Sequence, residues 1–392
     1  LDWRKRVAVH ATLESSGLTR LDCAFTQVPC TVQEDVTFPK EDIRFDNGDM
    51  QLTINIRTGL VDHYIAAGVE YVSNGSFAPV LYQDSPDPWY MGKNCFPQKL
   101  GVFALTEARR AHRYSDGAEI LVPAVRIVEN GAVRMLVEAE FIWGRSRLVQ
   151  TYCLPKAGTS FEIMQDIFWN EADTMLKLEI PAAFKGDYLG QGMFGSESLP
   201  QDGTECVSQK WCGLFGEKHA LTICNSGIYG SHCVGSAVSL SLLRASAYAA
   251  HPIGARPLVQ EERFIPRMDQ GAHHLHFSIC GGDAGVRRKC VDMEAQVLNE
   301  APFIFSAFPS GEGTMPKPML LLSEPCVQLT AMYYDPQKES YVLRLWNSQP
   351  DAVTAVVRLP VWNTAQELTL GAYQFQTYRI RTDGKLEPTP PI

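Results

Sequence analysis

Apolar positions along the chain come in short bursts that alternate with polar ones, and long stretches with the three-and-four spacing of amphipathic helices are hard to find. In Leu136, Val137, Glu138, Ala139, Glu140 and Phe141 the partial alternation suits a strand with one wet face. Such bursts are rich in β-branched and aromatic residues and are closed by Gly, Asn, Asp or Pro. Met50 to Ile56 stops at Thr58-Gly59, Ala132 to Phe141 follows Asn130-Gly131, and Leu221 to Cys224 runs into Asn225-Ser226-Gly227. Many short strands at this spacing predict packed β-sheets. A short helix is expected at Asp292 to Asn299.

The 392 residues call for two or more domains. Residues 1–36 hold two strand-like pieces, Val7 to Leu13 and Leu21 to Val28, too few to close a sheet, and are expected to join an upstream or adjoining sheet. From 37 to 283 the strand pattern is nearly continuous and predicts one large β domain. Residues 284–307 read as a connector. Residues 308–392 begin with the loop Phe308 to Pro318 and continue with about five strands: Met319 to Ser323, Val327 to Tyr334, Ser340 to Trp346, Thr354 to Leu359 and Tyr373 to Arg379. These predict a second, smaller sandwich. The Gly-rich pieces Gly186 to Gly195 and Gly281-Gly282 lack a strand-GxGxxG-helix context and are expected to be loops. A first residue Leu1, with no initiator Met and no apolar leader, predicts a fragment.

Composition narrows the partners. An apolar fraction of 45% and a charged fraction of 20% are those of a globular protein, with no apolar run near the ~20 residues of a membrane helix. A net charge of -9 without a basic stripe excludes nucleic acid and points to neutral or weakly charged small molecules. Eleven cysteines without a CxxC pair predict neither a disulfide framework nor a Cys-rich metal site, and a cytoplasmic home.

Between residues 150 and 280 an ordered series of motifs resembles the C-terminal region of glycoside hydrolase family 38 α-mannosidases. Gln150-Thr151 leads through Leu154-Pro155 and Phe161 to Trp169, then to Leu176-Lys177 and Ile180-Pro181. Glu205 precedes Gln209-Lys210-Trp211, and Asn225, Gly227, Tyr229 and Gly230 stand where the family reads Asn-Asp-Gly-Lys-Tyr-Gly. Leu242-Leu243-Arg244 with Tyr248 and His251, and Asp269-Gln270-Gly271 to Phe277, continue the series, with Thr58-Gly59, Asp84, Asp87 and Trp89 upstream and Val342 to Asn347 downstream. Ser226, Ile228, Ala245 and Ser246 depart from the family pattern. The resemblance covers roughly residues 20 to 385. It implies a supersandwich of the galactose-mutarotase type followed by a smaller β-sandwich. In complete enzymes the zinc ion and the two catalytic Asp residues belong to preceding α/β and helical domains. The implied partners are those domains of the same parent chain and an α-mannoside or mannose-containing oligosaccharide.

Retaining glycoside hydrolysis needs two carboxylates about 5 Å apart, and the family adds zinc held by His-x-Asp. None of the nine histidines is followed by Asp two residues later. No catalytic residue, metal site or cofactor is therefore assigned to this chain. Asp84 and Asp87, among prolines, read as turn caps or as a rim of the sugar cleft. Trp89, Arg244 and His251 are further rim candidates. Arg244 ends the apolar run Val238 to Leu243, so a carboxylate partner is expected for it. Trp169 and Trp211 read as packing residues before sugar platforms. His273, His274, His276 and Cys280 invite a metal reading, but ordinary strand positions explain them more simply. Two other readings stay open, a stand-alone carbohydrate-binding or assembly module with an exposed aromatic platform, and a mutarotase-like epimerase with a converging His and Glu.

Overall fold

The computed structural model describes residues 7–13, 15–24, 36–85, 94–113, 116–247, 265–306 and 313–390. Apart from the helix Ala284–Asn299, its long elements are strands, and the described strand pairs are antiparallel. The expected all-β class, a large sandwich followed by a smaller one, is what the chain adopts. It divides into two compact units. One comprises Glu34–Gly190 and Glu197–Arg287, and the other comprises Leu1–Gln33, Gln191–Ser196 and Arg288–Ile392.

The main sheet runs in the order Val125–Asn130, Arg134–Trp143, Ser146–Pro155, Ser160–Trp169, Gly271–Asp283, His219–Asn225, Trp211–Phe215, Asp187–Gly192 and Gly195–Ser198. A six-stranded sheet has the order Cys206–Val207, Gly230–Val234, Ala237–Arg244, Thr174–Pro181, Ala78–Gln83 and Lys99–Val102. A four-stranded sheet runs from Ile43–Asp46 to Val69–Glu70. One apolar cluster joins all three and includes Phe45, Leu52, Phe141, Phe161, Trp169, Leu176, Leu178, Leu240 and Phe277. Alternation decides which side chains enter it. Ser160–Trp169 buries Phe161, Ile163, Gln165, Ile167 and Trp169, while Glu162, Asp166 and Phe168 point away. Each large apolar side chain so buried contributes on the order of 1.5–3 kcal/mol.

Several motif residues turn out to bind backbone. Gln150 Nε2 donates to the Phe77 carbonyl at 3.1 Å, and Tyr152 Oη donates to the Gly59 carbonyl at 2.8 Å. Asn225 Oδ1 accepts from the amides of Gly227 (3.1 Å) and Ile228 (2.8 Å), closing the turn after its strand. Gly59 holds φ +71°, and a β-carbon there would lie within 2.9 Å of Leu105, Ala139 and Phe141. Glycine alone fits that turn.

Three expectations fail. Residues Val7 to Leu13 and Leu21 to Ala24 form no strand, and Val7, Val9, Leu13 and Leu21 are exposed. Strand propensity without a neighbouring strand to bond gives no sheet. The remainder of that second piece, residues 25–28, lies outside the described residues. The Gly-rich segment 186–195 is not a loop but supplies the strands Asp187–Gly192 and Gly195–Ser198, and Gly281-Gly282 lie inside Gly271–Asp283. Their glycines make room for neighbours: a β-carbon on Gly190 would meet Leu199 at 2.6 Å, and one on Gly281 would meet the Tyr71 ring at 2.6 Å. The connector 284–307 begins with the sixteen-residue helix, longer than the expected 292–299. Asp283 Oδ1 caps that helix by accepting the Val286 amide at 3.0 Å.

The smaller unit packs a three-stranded sheet, Leu321–Leu322, Val353–Leu359 and Thr364–Leu370, and a four-stranded sheet, Val327–Asp335, Ser340–Asn347, Phe375–Ile380 and Leu386–Thr389. Their shared core holds Leu343, Leu345, Val357, Leu370, Tyr378 and Ile380. Thr364–Leu370 and Leu386–Thr389 escape a sequence reading because polar residues and Pro388 dilute their apolar pattern. Among the described residues no helix is long and apolar enough to cross a membrane.

Candidate functional site: a polar face on the six-stranded sheet

Strand Thr174–Pro181 puts Leu176, Leu178 and Ile180 on one face and Lys177 and Glu179 on the other. Lys177 pairs in register with Ser241 and Val80, and Glu179 with Ser239 and Ala78. His232 lies opposite Ser239 from the next strand. The result is a row of ionisable groups across several strands, largely out of water.

Lys177 is fully buried, bonded to Glu205 and 2.8 Å from His232 Nδ1. Its ammonium also lies 5.5 Å from the Tyr82 ring centre and 5.8 Å from that of Phe96. Glu205 Oε1 is 3.1 Å from the same His232 Nδ1, and Ser241 Oγ donates to Glu205 Oε2 at 2.9 Å. One ring nitrogen cannot accept from Lys177 and donate to Glu205 at once, so the two bonds are alternatives set by where the proton sits. Burial pulls the Lys177 ammonium below its usual range, against the opposing pull of Glu205 and Asp84. Burial raises the Glu205 carboxyl, but His232, Lys177 and Ser241 together outweigh it and hold the group below the usual carboxylate range. Alongside, Tyr82 Oη bonds Glu179, whose carboxylate is 2.7 Å from Lys99 Nζ. Burial first, and then Glu179, push the Tyr82 phenol well up.

At one end of this face Arg244 meets Asp84. Nε and Nη2 of Arg244 reach Oδ2 and Oδ1 of Asp84 at 2.8 and 2.7 Å, a two-pronged pair. Ser246 Oγ adds a bond to Oδ2 at 3.1 Å and the Ser85 amide one to Oδ1 at 2.7 Å. The carboxylate partner expected for Arg244 is thus Asp84, whose side chain is out of contact with water. The Arg244 amide donates to Asp269 Oδ2 at 3.0 Å, tying in the Asp-Gln-Gly motif.

The other rim candidates, Asp87, Trp89 and His251, lie outside the described residues. Trp169 and Trp211 are buried. The histidines of Gly271–Asp283 separate: His274 pairs with Asp166, His276 Nε2 is 3.1 Å from Glu162 Oε2, and His273 Nε2 is 2.7 Å from the Asp269 carbonyl. Among the described residues no three His, Cys, Asp or Glu side chains come together as a metal site would require. A sequence reading passes over Lys177, Glu205 and His232 as a group. Its one available signal is a lysine between leucines in an apolar strand, Met175 to Ile180, where a charge needs a partner.

The model for the glycosyl hydrolases family 38 C-terminal domain matches residues 45–252. Two solved structures are similar. An α-mannosidase from Enterococcus faecalis V583 shares 12% identity over 86% of this chain and 42% of its own, with a TM-score of 0.65. A glycosyl hydrolase family 38 protein from Enterococcus faecalis shares 12% identity over 86% of this chain and 43% of its own, with a TM-score of 0.66. The chain thus spans about two fifths of the length of these structures. At such identity the likeness speaks for the fold. No curated protein matches the chain. The family model covers more than half of the sequence, and it takes in Asp84, Lys177, Glu205, His232 and Arg244; the chain belongs to the glycosyl hydrolase family 38 C-terminal domain family.

Proposed function

We propose that this chain is the non-catalytic C-terminal part of a retaining, zinc-dependent α-mannosidase. It scaffolds the catalytic and helical domains of the same polypeptide, and its segment around Asp84, Asp87 and Trp89, with Arg244 and His251, borders the cleft for a terminal α-mannoside. Family membership supports the parent reaction. The observation that carries the non-catalytic role is the closure of the polar face on itself. Asp84 accepts two bonds from Arg244 and one each from Ser246 and Ser85, and Glu205 accepts from Lys177 and Ser241 with His232 Nδ1 3.1 Å away. A nucleophilic carboxylate must be free to attack. Among the described residues no donor set fits zinc, and the ion belongs to the other domains of the parent. A cytoplasmic location belongs to the same proposal, supported by the free thiols of the described cysteines.

The test is turnover of 4-nitrophenyl α-mannoside by the purified chain with zinc supplied. None is expected; turnover that follows the protein through purification and disappears in Glu205→Gln would overturn the reading. One observation favours a second reading, a mutarotase-like epimerase: His232 and Glu205 do converge, at 3.1 Å. Lys177 engages both, and we expect the polarimetric relaxation of fresh α-D-mannose or α-D-glucose to keep its uncatalysed rate. A catalysed relaxation lost in His232→Ala would make the epimerase the function.

A further inference from the structure

The four-stranded sheet of the smaller unit carries two adjacent rows on one face. Trp346 lies opposite Phe375, and two residues along each strand Arg344 lies opposite Thr377, which in turn lies opposite Thr389. The first row is aromatic: Phe375 stacks on Trp346 with centroids 6.0 Å apart and planes 13° apart. Phe194, from the segment Gln191–Ser196 of the same unit, sets its ring edge-on to Phe375 at 4.4 Å. Phe194 holds φ +63° and is 51% exposed, an uncommon backbone for a bulky residue and an uncommon position for its ring. The second row is polar. Arg344 Nε donates to Thr377 Oγ1 at 3.2 Å, and its guanidinium meets no carboxylate among the described residues. Phe194, Phe375, Arg344, Thr377, Thr389 and Pro390 border a groove of about 730 Å³.

We propose that this groove binds one hexopyranose unit of a glycan. Carbon-bound hydrogens on a pyranose face carry slight positive charge and pack on the negative face of an aromatic ring. Two residues along a strand separate the rows by about 6.8 Å, which sets the hydroxyls at the sugar's edge against Arg344, Thr377 and Thr389. The guanidinium of Arg344, a lining donor that meets no carboxylate among the described residues, calls for a ligand rich in acceptors. A run of prolines also suits aromatic grooves, but its ring nitrogens carry no hydrogen, so it can only accept at Thr377 and Thr389, whereas sugar hydroxyls both donate and accept. This site is independent of the role proposed for the larger unit.

The test is isothermal titration of the whole chain with α-1,2-mannobiose, cellobiose and maltose, with decaproline as a competing probe. Saturable binding of at least one disaccharide is expected, weakened about tenfold or more in Phe194→Ala and in Arg344→Gln. Thermal melting of each variant shows whether it is folded. The proposal is overturned by no saturable binding of any disaccharide up to about 10 mM, by binding equally tight in both folded variants, or by decaproline binding while the sugars do not. Sugar binding that survives in both variants would place the site elsewhere on the chain. Should either variant fail to fold, the wild-type chain's Trp indole NMR signals serve instead. A sugar-induced shift of the Trp346 signal, assigned through Trp346→Phe, supports the site, and saturable binding without it overturns the site.

Discussion

Asp84 and Arg244 stand 160 residues apart in sequence and meet through two hydrogen bonds in a place where the carboxylate has no water. Removing Arg244 leaves that charge without its counter-ion. Arg244→Ala is therefore expected to destabilise the chain by about 3–5 kcal/mol, measured by urea unfolding. The double change Asp84→Leu with Arg244→Met should recover most of the loss; a double variant as unstable as Arg244→Ala would show that the pair does not act as a unit. Glu205 gives a pH signature. Its folded carboxyl lies below the unfolded value of about 4.3, so its stabilisation is complete above that value and is lost as pH falls below it toward the folded value. Between pH ~6 and pH ~3 the wild type should lose more stability than Glu205→Gln, compared by urea midpoints. Equal losses in the two would remove Glu205 from the account. The need of Arg244 for a carboxylate was legible in sequence, because it ends an apolar run. The triad of Lys177, Glu205 and His232 was not, since its members are 28 and 55 residues from Lys177 and meet through strand order.

Strands show a similar division. Alternation gave most of their positions, as in Ser160–Trp169, where every second residue is buried. It failed at glycines, which sequence rules assign to turns. Within Gly271–Asp283, Gly281 is a strand residue because the Tyr71 ring lies across it. Gly281→Ala should cost about 1–3 kcal/mol by overpacking, read as a lowered melting temperature. Pairing it with Tyr71→Leu should return part of the loss, whereas simple additivity would mean that the contact is not the cause. The N-terminal bursts erred in the opposite direction, with apolar residues and no sheet to receive them.

Across the whole molecule the cysteines report burial. Cys23 and Cys95 are exposed, while Cys153, Cys212, Cys224, Cys233, Cys280 and Cys326 are buried. Burial pushes the thiols of Cys153 and Cys233 up to about 11 and that of Cys212 up to about 12, which suppresses the reactive thiolate. Reaction of the native chain with a thiol reagent should be fast at Cys23 and Cys95, and the six buried thiols should react on denaturation. Mass mapping that found Cys212 or Cys280 labelled in the native state would contradict this packing. By itself the sequence determined the all-β class, the two sandwiches and the family, because strand alternation and turn-closing residues such as Gly59 and Asn225 act over a few positions. Asn225 answers to amides two and three residues away. Tertiary structure alone decided which charges meet on the six-stranded sheet and which aromatic rings border the groove beside Arg344. Those contacts depend on strand order and register, which the free energy of the whole core selects and no local pattern encodes.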